Sequence, residues 1–399
     1  MTILQEIFLI SLIGLGHFTV DFYMGFFPPL LPYLSRVYAL NLTEAGVLVG
    51  AAASASSLTQ PIFGAVTDRI RSPWLLPAAA LLTTCVVSMV SCAKSYPLLM
   101  LLAAGGGIGS ALYHPFGAAV ATRLIRAQNR KATAVSIYSA FGSFGAAVSP
   151  LAAVFVLLTW GLDGFFYAGS LGALLVCIMV AFRGRWLYAV KGEDNSAGNC
   201  DGVRVGERWD LRASLPLLLL ILVLFLRSWA QHAVMSFVSF WFESLGMGEE
   251  GYGLGLSLFL MSGVAGGLIC GAFGDKRNRI KALVLSGVVS ALALAMFLQT
   301  SGFWSFVCLS LAGAGMNGAL PISVVLAQEM LPRNAGLASG MTLGFTWGLS
   351  GLATALTGLI GDLYGLGAAL WSLVPILVVS IPIPLFLPVH HHEKETAGA

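Results

Sequence analysis

The sequence has few charged residues for its length. Only 10% of its 399 residues are Asp, Glu, Lys or Arg, whereas a soluble domain carries about 25%. So few charges cannot cover the surface of a water-exposed globule of this size, which excludes a soluble protein. The net charge is only +3, and we expect no nucleic-acid partner.

Paired cysteines are also lacking. The six cysteines form no Cys-x-x-Cys pair and no Cys/His cluster with zinc-ligand spacing, so we expect neither disulfides nor a structural metal. No nucleophile–base pair, metal-ligand set or phosphate-binding loop stands out, and we therefore expect no enzyme activity and no cofactor. The first apolar run has no small-residue cleavage end and contains Asp21, so we interpret it as a retained membrane span.

Long apolar runs, in contrast, fill most of the chain, and 57% of the residues are hydrophobic. A helix needs about 20 apolar residues to cross a bilayer, far more than the roughly 10 alternating residues of a barrel strand. Twelve such runs, span 1 to span 12, lie near residues 7–34, 45–66, 74–93, 97–121, 133–158, 164–182, 214–242, 251–273, 282–300, 303–331, 336–360 and 366–388. We therefore predict an all-α membrane protein with twelve transmembrane helices.

The positive charges predict how the chain crosses the bilayer, because Lys and Arg are enriched in cytoplasmic segments. With the N-terminus inside, 18 of the 21 Lys and Arg residues fall on the cytoplasmic side. Only Arg36 and Lys94 fall outside, and Arg227 lies within a span. We expect both termini to be cytoplasmic.

A long polar stretch at residues 187–212 divides the chain into six spans and six spans. We predict an N-terminal half at 1–186, a cytoplasmic linker at 187–212, a C-terminal half at 213–389 and a cytoplasmic tail at 390–399. The segment GAVTDRIRSPWLL at 64–76 recurs as GAFGDKRNRIKAL at 271–283. Two six-span halves in parallel repeat, related by a pseudo-twofold axis, are the layout of the major facilitator fold, which binds its substrate between the halves.

The repeated segment resembles the G-x-x-x-D-[RK]-x-[RK] loop signature of that superfamily. Its carboxylate and basic residues can pair across the interface between the halves on the cytoplasmic side in one conformation and separate in the other. They can also interact with the partial charge at a helix end. We predict a conformational switch formed by Gly64, Asp68, Arg69, Arg71, Gly271, Asp275 and Lys276. The alternative is that these are ordinary positive-inside loop charges.

Several ionisable residues interrupt the apolar spans. A charge at the bilayer centre costs about 2.5–3.5 kcal/mol on insertion scales, so such residues are functional candidates. His17 and Asp21 are four residues apart and share a helix face. In span 4, Pro115 cannot donate to the carbonyl of Ala111, which leaves a polar group beside His114. We predict a proton-coupling site of Asp21, His17 and His114; histidines bonded within the bundle are the alternative.

Other polar residues of the spans are candidate substrate contacts. Position 227 corresponds to position 21 through the repeat, so we expect the guanidinium of Arg227 to face the carboxylate of Asp21 across the central cavity. A fixed structural ion pair is the alternative. The predicted substrate-binding residues are Arg227, Gln231, His232, Asn317, Tyr113 and Tyr23.

Five stretches of the first half carry a family resemblance. They are GHFTVDF in span 1, LTQPIFGAVTDR across span 2, SPWLLP after it, GGIGSALYHP in span 4 and FGSFGAAVSPLAA in span 5. Together they resemble the fosmidomycin-resistance branch of the major facilitator superfamily over about the first 150 residues, while the second half matches at superfamily level only. The resemblance implies a proton-coupled drug exporter of the bacterial inner membrane. Because fosmidomycin is a small phosphonate anion, it also implies a use for an arginine in the cavity.

The family's G-H-x-x-x-D pattern falls on Gly16, His17 and Asp21, and its H-P-E pattern falls on His114 and Pro115. Phe116 stands where the family has the glutamate, which leaves Asp21 as the main carboxylate for coupling.

These observations predict a secondary transporter that works by alternating access and exports a small, possibly anionic, organic compound in exchange for protons. Uptake of a metabolite together with protons is the alternative within transport. A membrane sensor or scaffold that does not transport is the alternative from another class. We expect a monomer in the inner membrane.

Overall fold

The computed structural model describes residues 3–70, 72–125, 131–186, 211–276, 279–331, 338 and 340–387. Its α-helices are Ile3–Met24, Phe27–Tyr38, Leu42–Arg69, Leu75–Ser88, Tyr96–Leu124, Lys131–Trp160, Gly164–Phe182, Leu211–Ser244, Glu249–Lys276, Arg279–Phe297, Phe303–Met330, Thr346–Tyr364, Leu366–Trp371 and Leu373–Ser380. Short 3₁₀ segments lie at Met89–Cys92, Arg183–Arg185 and Ile383–Phe386, and Gly340–Phe345 is π-helical. The described residues contain no strand, so the all-α prediction is confirmed.

Eleven of the predicted spans are helical segments long and apolar enough to cross a membrane. Span 2, Leu42–Arg69, is long enough at 28 residues but carries a run of small and hydroxyl-bearing residues, AAASASSLT. This helix packs between span 4 and span 11. Because neighbouring helices cover it, span 2 needs small side chains more than apolar ones.

Two spans are not the single helices that the apolar runs suggest. Span 1 breaks at Gly25 and Phe26, and its second helix starts with Pro28 in the first turn, where a missing N–H costs no hydrogen bond. Span 12 consists of three short helical pieces, with one break at Ser372, shortly before Pro375, and the other at Ile381 and Pro382. Proline explains both interruptions, since it cannot donate to the carbonyl one turn earlier.

The two halves repeat the same packing. In the first half, span 4 packs on spans 2 and 3, and span 1 packs on span 5. In the second half, span 10 packs on spans 8 and 9, and span 7 packs on span 11. The predicted linker at 187–212 lies outside the described residues up to the start of span 7's helix at Leu211, and the tail at 390–399 lies outside them entirely.

Spans 2 and 11, together with spans 5 and 8, join the halves. The backbones of spans 2 and 11 come so close that a Cβ on Gly50 would overlap the carbonyl oxygen of Gly351. Ser54 Oγ donates to the carbonyl of Gly348 at 2.8 Å across this contact. Small residues allow such an approach, and helices that touch through them can slide.

One end of the bundle, away from the chain termini, is closed by polar contacts between the halves. Arg36 at the end of span 1 pairs with Glu243 and, at 3.6 Å, with Glu249. Asp362 of span 11 accepts from the backbone N–H groups of Leu42 and Thr43 at 2.8 and 2.9 Å, and so caps the helix of span 2 from the other half. We call this the sealed end.

The other end is arranged differently. Within the described residues, spans 4 and 10 have no substantial contact with the opposite half. We therefore expect the space between the halves to open toward the end that carries the termini. The charge distribution predicts that this end is cytoplasmic.

Candidate functional site

Two imidazoles and one carboxylate meet in the middle part of spans 1 and 4. Asp21 Oδ2 lies 3.2 Å from His17 Nε2, and Asp21 Oδ1 lies 3.1 Å from His114 Nε2. The side chains of Asp21 and His114 keep 22% and 26% of their surface exposed, so the group is only partly covered by the protein. We call His17, Asp21 and His114 the carboxylate cluster. The three residues predicted for proton coupling thus lie together.

The other nitrogen of each imidazole faces a backbone carbonyl. His17 Nδ1 lies 2.9 Å from the carbonyl oxygen of Tyr138, and His114 Nδ1 lies 2.7 Å from that of Ser110. A carbonyl oxygen only accepts, so each Nδ1 carries a hydrogen. The Nε2 atom is then the basic nitrogen, and it needs a further proton to bond the carboxylate. The cluster therefore offers a proton to be taken up or released between each histidine and Asp21.

Span 5 supports the cluster from behind. The Tyr138 ring stacks on His17 at 4.2 Å between centroids, and its hydroxyl donates to the carbonyl of His114 at 3.2 Å. One residue thereby contacts both histidines. At Gly142, a Cβ would overlap the His17 ring and Asp21 Oδ2, so glycine makes room for the cluster.

These supporting residues were not among the sequence candidates. Tyr138 lies in an apolar span with no charged neighbour, and a tyrosine there gives no signal of its contact with a histidine 121 positions away. Gly142 belongs to the FGSFG stretch of span 5. Its small residues were a signal of close approach, but not of what approaches.

Arg227 does not face Asp21, and that expectation is wrong. Its guanidinium lies inside the second half, where Nη1 donates to Ser286 Oγ at 2.8 Å and Nη2 donates to the carbonyl of Leu283 at 2.7 Å. Nε donates to Ser380 Oγ at 3.3 Å. Only 1% of the residue is exposed. The long side chain turns toward spans 9 and 12, where neutral acceptors satisfy it, and not toward the cavity.

The remaining candidates of the second half lie on span 7 and span 10, and Asn317 of span 10 packs against Gly263 of span 8. His232 is buried, its Nδ1 faces the carbonyl of Ser228 at 2.9 Å, and its ring meets Trp347 edge to face at 5.2 Å. Trp347 has an indole N–H without a partner in the described part of the chain. Gln231 is buried beside His232. Asn317 donates weakly to the carbonyl of Gly313 at 3.4 Å.

Two tyrosines predicted to bind substrate have their hydroxyls occupied by the protein. Tyr113 is buried and donates to the carbonyl of Ile13 at 2.6 Å. Tyr23 is buried between spans 1 and 6, where it donates to the carbonyl of Ala168 at 2.6 Å and accepts from Gly172 N–H at 3.0 Å. Both pack the first half together, so we leave them out of the proposed binding surface.

Phe116, at the position of the family glutamate, is buried in the apolar core of the first half, in the same cluster as Tyr113 and Val120. A carboxylate at this position would be buried without access to water, which is costly. The substitution thus keeps this position apolar and leaves Asp21 as the carboxylate beside His114.

The switch residues fall largely beyond what the structure describes. The side chains of Asp68, Arg69, Asp275 and Lys276, and the whole of Arg71, lie outside the described residues. Gly64 and Gly271 are described, and a Cβ at either would fit, since its nearest neighbour would be Pro115 at 4.0 Å for Gly64 and nothing within 4 Å for Gly271. Close helix approach at Gly64 is therefore not what this conformation requires.

The carboxylate cluster also has the composition of a metal site. The ligand atoms of His17, Asp21 and His114 all lie within 4.8 Å of one another, and imidazole and carboxylate are ligands for divalent metals. The separations of 3.1 and 3.2 Å are equally those of proton-sharing contacts. Tests of the site therefore include a chelator.

Comparisons with known proteins agree with this architecture. The sequence profile described as Major Facilitator Superfamily matches residues 13–351 and again residues 220–399. The chain is 27% identical over 387 residues to the Fosmidomycin resistance protein of Escherichia coli (strain K12), covering 96% of this chain and 94% of that protein. It is 25% identical over 391 residues to the uncharacterized MFS-type transporter YfnC of Bacillus subtilis (strain 168), covering 97% and 94%.

The similarity to these two relatives extends over both halves, whereas the five stretches that resemble the family lie in the first half. Among solved structures, the chain is similar to a bacterial homolog of the human lysosomal transporter Spinster in an inward-facing and occupied conformation, with a TM-score of 0.76, 14% identity and 97% coverage of both chains. It is similar to a D-xylose-proton symporter with a TM-score of 0.73 at 13% identity, covering 95% and 97%. At these identities the likeness shows the fold alone.

Proposed function

The chain belongs to the Major Facilitator Superfamily, and from this premise we propose that it is a secondary transporter that exports a small organic compound in exchange for protons. It would work by alternating access, in the inner membrane of a bacterium, as a monomer with both termini in the cytoplasm. The carboxylate cluster would bind the proton, and the second half would supply Gln231, His232 and Asn317 to the substrate.

The observation that carries the proposal is the carboxylate cluster itself. Its three ionisable side chains lie within a membrane-spanning bundle, where a fixed charge is expensive. They have no other charged partner in the described part of the chain. Each of the two imidazoles can take up a proton, and each proton that binds changes the net charge of the group. The negative carboxylate offsets one of these positive charges.

Exchange follows if proton and substrate use the same exposed space. We expect the cluster to be reached from the space between the halves, on the side of the termini, because spans 4 and 10 have no substantial contact with the opposite half in the described residues. When protons leave the cluster on that side, the site is ready for substrate, and when protons return from the other side, the substrate is released. Two ligands that exclude one another on one carrier give antiport.

The direction of export draws on the relative named for fosmidomycin resistance, since moving a toxic compound outward is one way to confer resistance. The proposal does not require an anionic substrate. Arg227, the cationic residue that would have favoured an anion, lies outside the cavity.

Inverted membrane vesicles acidified inside by respiration test this function. Addition of fosmidomycin and of a panel of small phosphonates and carboxylates should make the interior less acidic for at least one compound, as protons leave in exchange. Asp21→Asn should abolish the response, with and without a chelator. Asp163→Asn, an exposed carboxylate outside the cluster, is the matched control and should respond like wild type.

Acidification of the interior in place of alkalinisation would mean symport and would contradict export. If no compound changes the interior pH of vesicles with the wild type, the result would contradict transport and favour a sensor or scaffold. A response of Asp21→Asn equal to wild type would remove the proton site. A response that the chelator alone abolishes would mean that a metal ion, and not a proton, occupies the cluster.

A further inference from the structure

An indole and an imidazole of the second half lie beside one another with unused hydrogen-bonding groups. The indole N–H of Trp347 in span 11 is buried and has no partner in the described part of the chain. The ring of His232 in span 7, which is only 5% exposed, meets it edge to face with 5.2 Å between centroids. A buried donor is nearly always hydrogen-bonded in native proteins, so an unpaired one calls for an explanation.

The imidazole of His232 supplies an acceptor next to this donor. Its Nδ1 lies 2.9 Å from the carbonyl oxygen of Ser228, which only accepts, so Nδ1 carries the hydrogen. No carboxylate of the described residues pairs with this ring, in contrast to the two imidazoles of the carboxylate cluster. Nothing there stabilises a second proton, and Nε2, which has no bond within the described residues, is left as an acceptor. We call Trp347 Nε1 and His232 Nε2 the indole–imidazole pair.

Trp347 lies on the inner face of span 11. A Cβ on the next residue, Gly348, would overlap a leucine of span 2, and Ser350 Oγ donates to the carbonyl of Phe225 in span 7 at 3.2 Å. Span 11 therefore packs on span 2 on one side of Trp347 and on span 7 on the other. The exposed Leu356 lies about two and a half helical turns away, on the opposite face. The indole thus points between spans 2 and 7, toward the space between the halves.

The second half presents no charge beside this pair. The guanidinium of Arg227 is bonded within its own half, and Gln231, the neighbour of His232, has an uncharged amide and is 5% exposed. A charged group placed against the pair would find no counter-charge among the described residues, and its desolvation would be costly. An uncharged group that both accepts and donates would satisfy the indole and the imidazole together.

We propose that Trp347 and His232 bind an uncharged polar group of the substrate, a carboxamide or a hydroxyl. The indole N–H donates to its oxygen, and the imidazole Nε2 accepts its hydrogen. The inference deepens the proposed function and rests on it, because it assumes that the space between the halves receives a substrate. It assigns the substrate to compounds that carry such a group, whatever charge they bear elsewhere.

Fluorine NMR of the full chain in detergent micelles, with fluorotryptophan in place of tryptophan, tests the subsite without any transport. The signal missing from Trp347→Phe belongs to Trp347, and the signal missing from Trp241→Phe is the matched control. Trp241 also has a buried indole N–H without a partner in the described residues, but it lies two residues before Glu243 of the sealed end.

The probes are phenylacetamide, benzyl alcohol and the phenylacetate ion. They are added at about 10 mM, because fragments of this size bind with millimolar affinity. The pH is about 8, where an unperturbed imidazole is neutral.

The two uncharged probes should shift the Trp347 signal until it saturates and leave the Trp241 signal in place. Phenylacetate, which is similar in size but charged, should shift it at least tenfold less at the same concentration. His232→Phe keeps an aromatic ring beside the indole but removes the acceptor, and it should weaken the binding of phenylacetamide by about tenfold. Unchanged Trp241 signals show that this variant is folded.

Two results would overturn the subsite. One is a Trp347 signal that no probe shifts, or that phenylacetate shifts most. The other is a folded His232→Phe variant that binds phenylacetamide as the wild type does.

The vesicle assay separates the subsite from the proposed function. For a compound that moves protons in the wild type, Trp347→Phe should raise the concentration needed by about tenfold, and Trp241→Phe should not. If Trp347→Phe responds like the wild type, the subsite is wrong and proton exchange stands. If phenylacetamide binds at Trp347 but no compound moves protons, the subsite stands and proton exchange fails.

Discussion

The two halves of the molecule hold their buried ionisable residues in opposite ways. Asp21 and Arg227 stand at corresponding positions of the repeat. Asp21 is partly exposed and bonded to two imidazoles that can themselves gain or lose a proton. Arg227 is fully buried and bonded to two hydroxyls and a carbonyl, which cannot. We therefore expect the charge of the Asp21 group to change with protonation and the charge of Arg227 to stay constant.

This difference has an energetic reason. A buried guanidinium is stable only when its donors are satisfied, and neutral acceptors do so without competing for its proton. When a carboxylate is bonded to imidazoles, the charge of those imidazoles changes as protons bind to them and leave. We expect the contacts of Arg227 to contribute mainly to stability and those of Asp21 to give a response to pH.

Arg227→Met is the strongest test of the static half. It should lower the melting temperature markedly, because each acceptor left unpaired costs about 1–3 kcal/mol and three acceptors lose their partner. Proton-coupled transport per folded molecule should persist. Thermal unfolding in detergent and vesicle transport normalised to folded protein check this. A variant that keeps its stability but loses proton coupling would reverse the comparison.

Gly142→Ala should disturb the responsive half without unfolding it. The added Cβ overlaps the His17 ring and Asp21 Oδ2, so these two side chains must shift and their contact is disturbed. Proton-coupled transport should fall by about tenfold, the equivalent of one lost charge-assisted bond. Gly184→Ala, where a Cβ meets nothing within 4 Å, is the control. Equal activity of the two variants would show that the cluster does not need this space.

Tyr138→Phe should have the smallest effect. It removes the hydroxyl bond to the His114 carbonyl at 3.2 Å but keeps the ring that stacks on His17 and the carbonyl that fixes its Nδ1 hydrogen. A single neutral hydrogen bond is worth about 1 kcal/mol, so we expect a loss of a few-fold in proton-coupled transport. Tyr138→Ala, which also removes the stacking, should lose more. The reverse order would show that the hydroxyl, and not the ring, holds the cluster.

The sequence predicts the spans well because membrane insertion is decided by continuous apolar length, which can be read directly from residue types. It also brings His17, Asp21 and His114 to attention, since each is a costly residue within a span. The broken ends of spans 1 and 12 are less visible, because proline interrupts a helix without interrupting hydrophobicity.

The direction in which a side chain points could not be predicted from the sequence. The repeat places the backbone of Arg227 opposite that of Asp21, but a long flexible side chain can turn toward whichever neighbour satisfies it. Ser286 and Ser380, which are ordinary residues in the sequence, decide that direction. Tyr138 and Ser110 were missed for the same reason, since their role lies in what they touch and not in what they are.

Infrared difference spectroscopy between acidic and neutral pH, on the protein in lipid with a chelator present, tests the central claim most directly. The wild type should show protonation changes of a carboxyl and of imidazole together. Asp21→Asn should lose the carboxyl change and reduce the imidazole change, and Arg227→Met should keep both. A spectrum of Asp21→Asn identical to that of the wild type would show that the carboxylate cluster does not bind the proton.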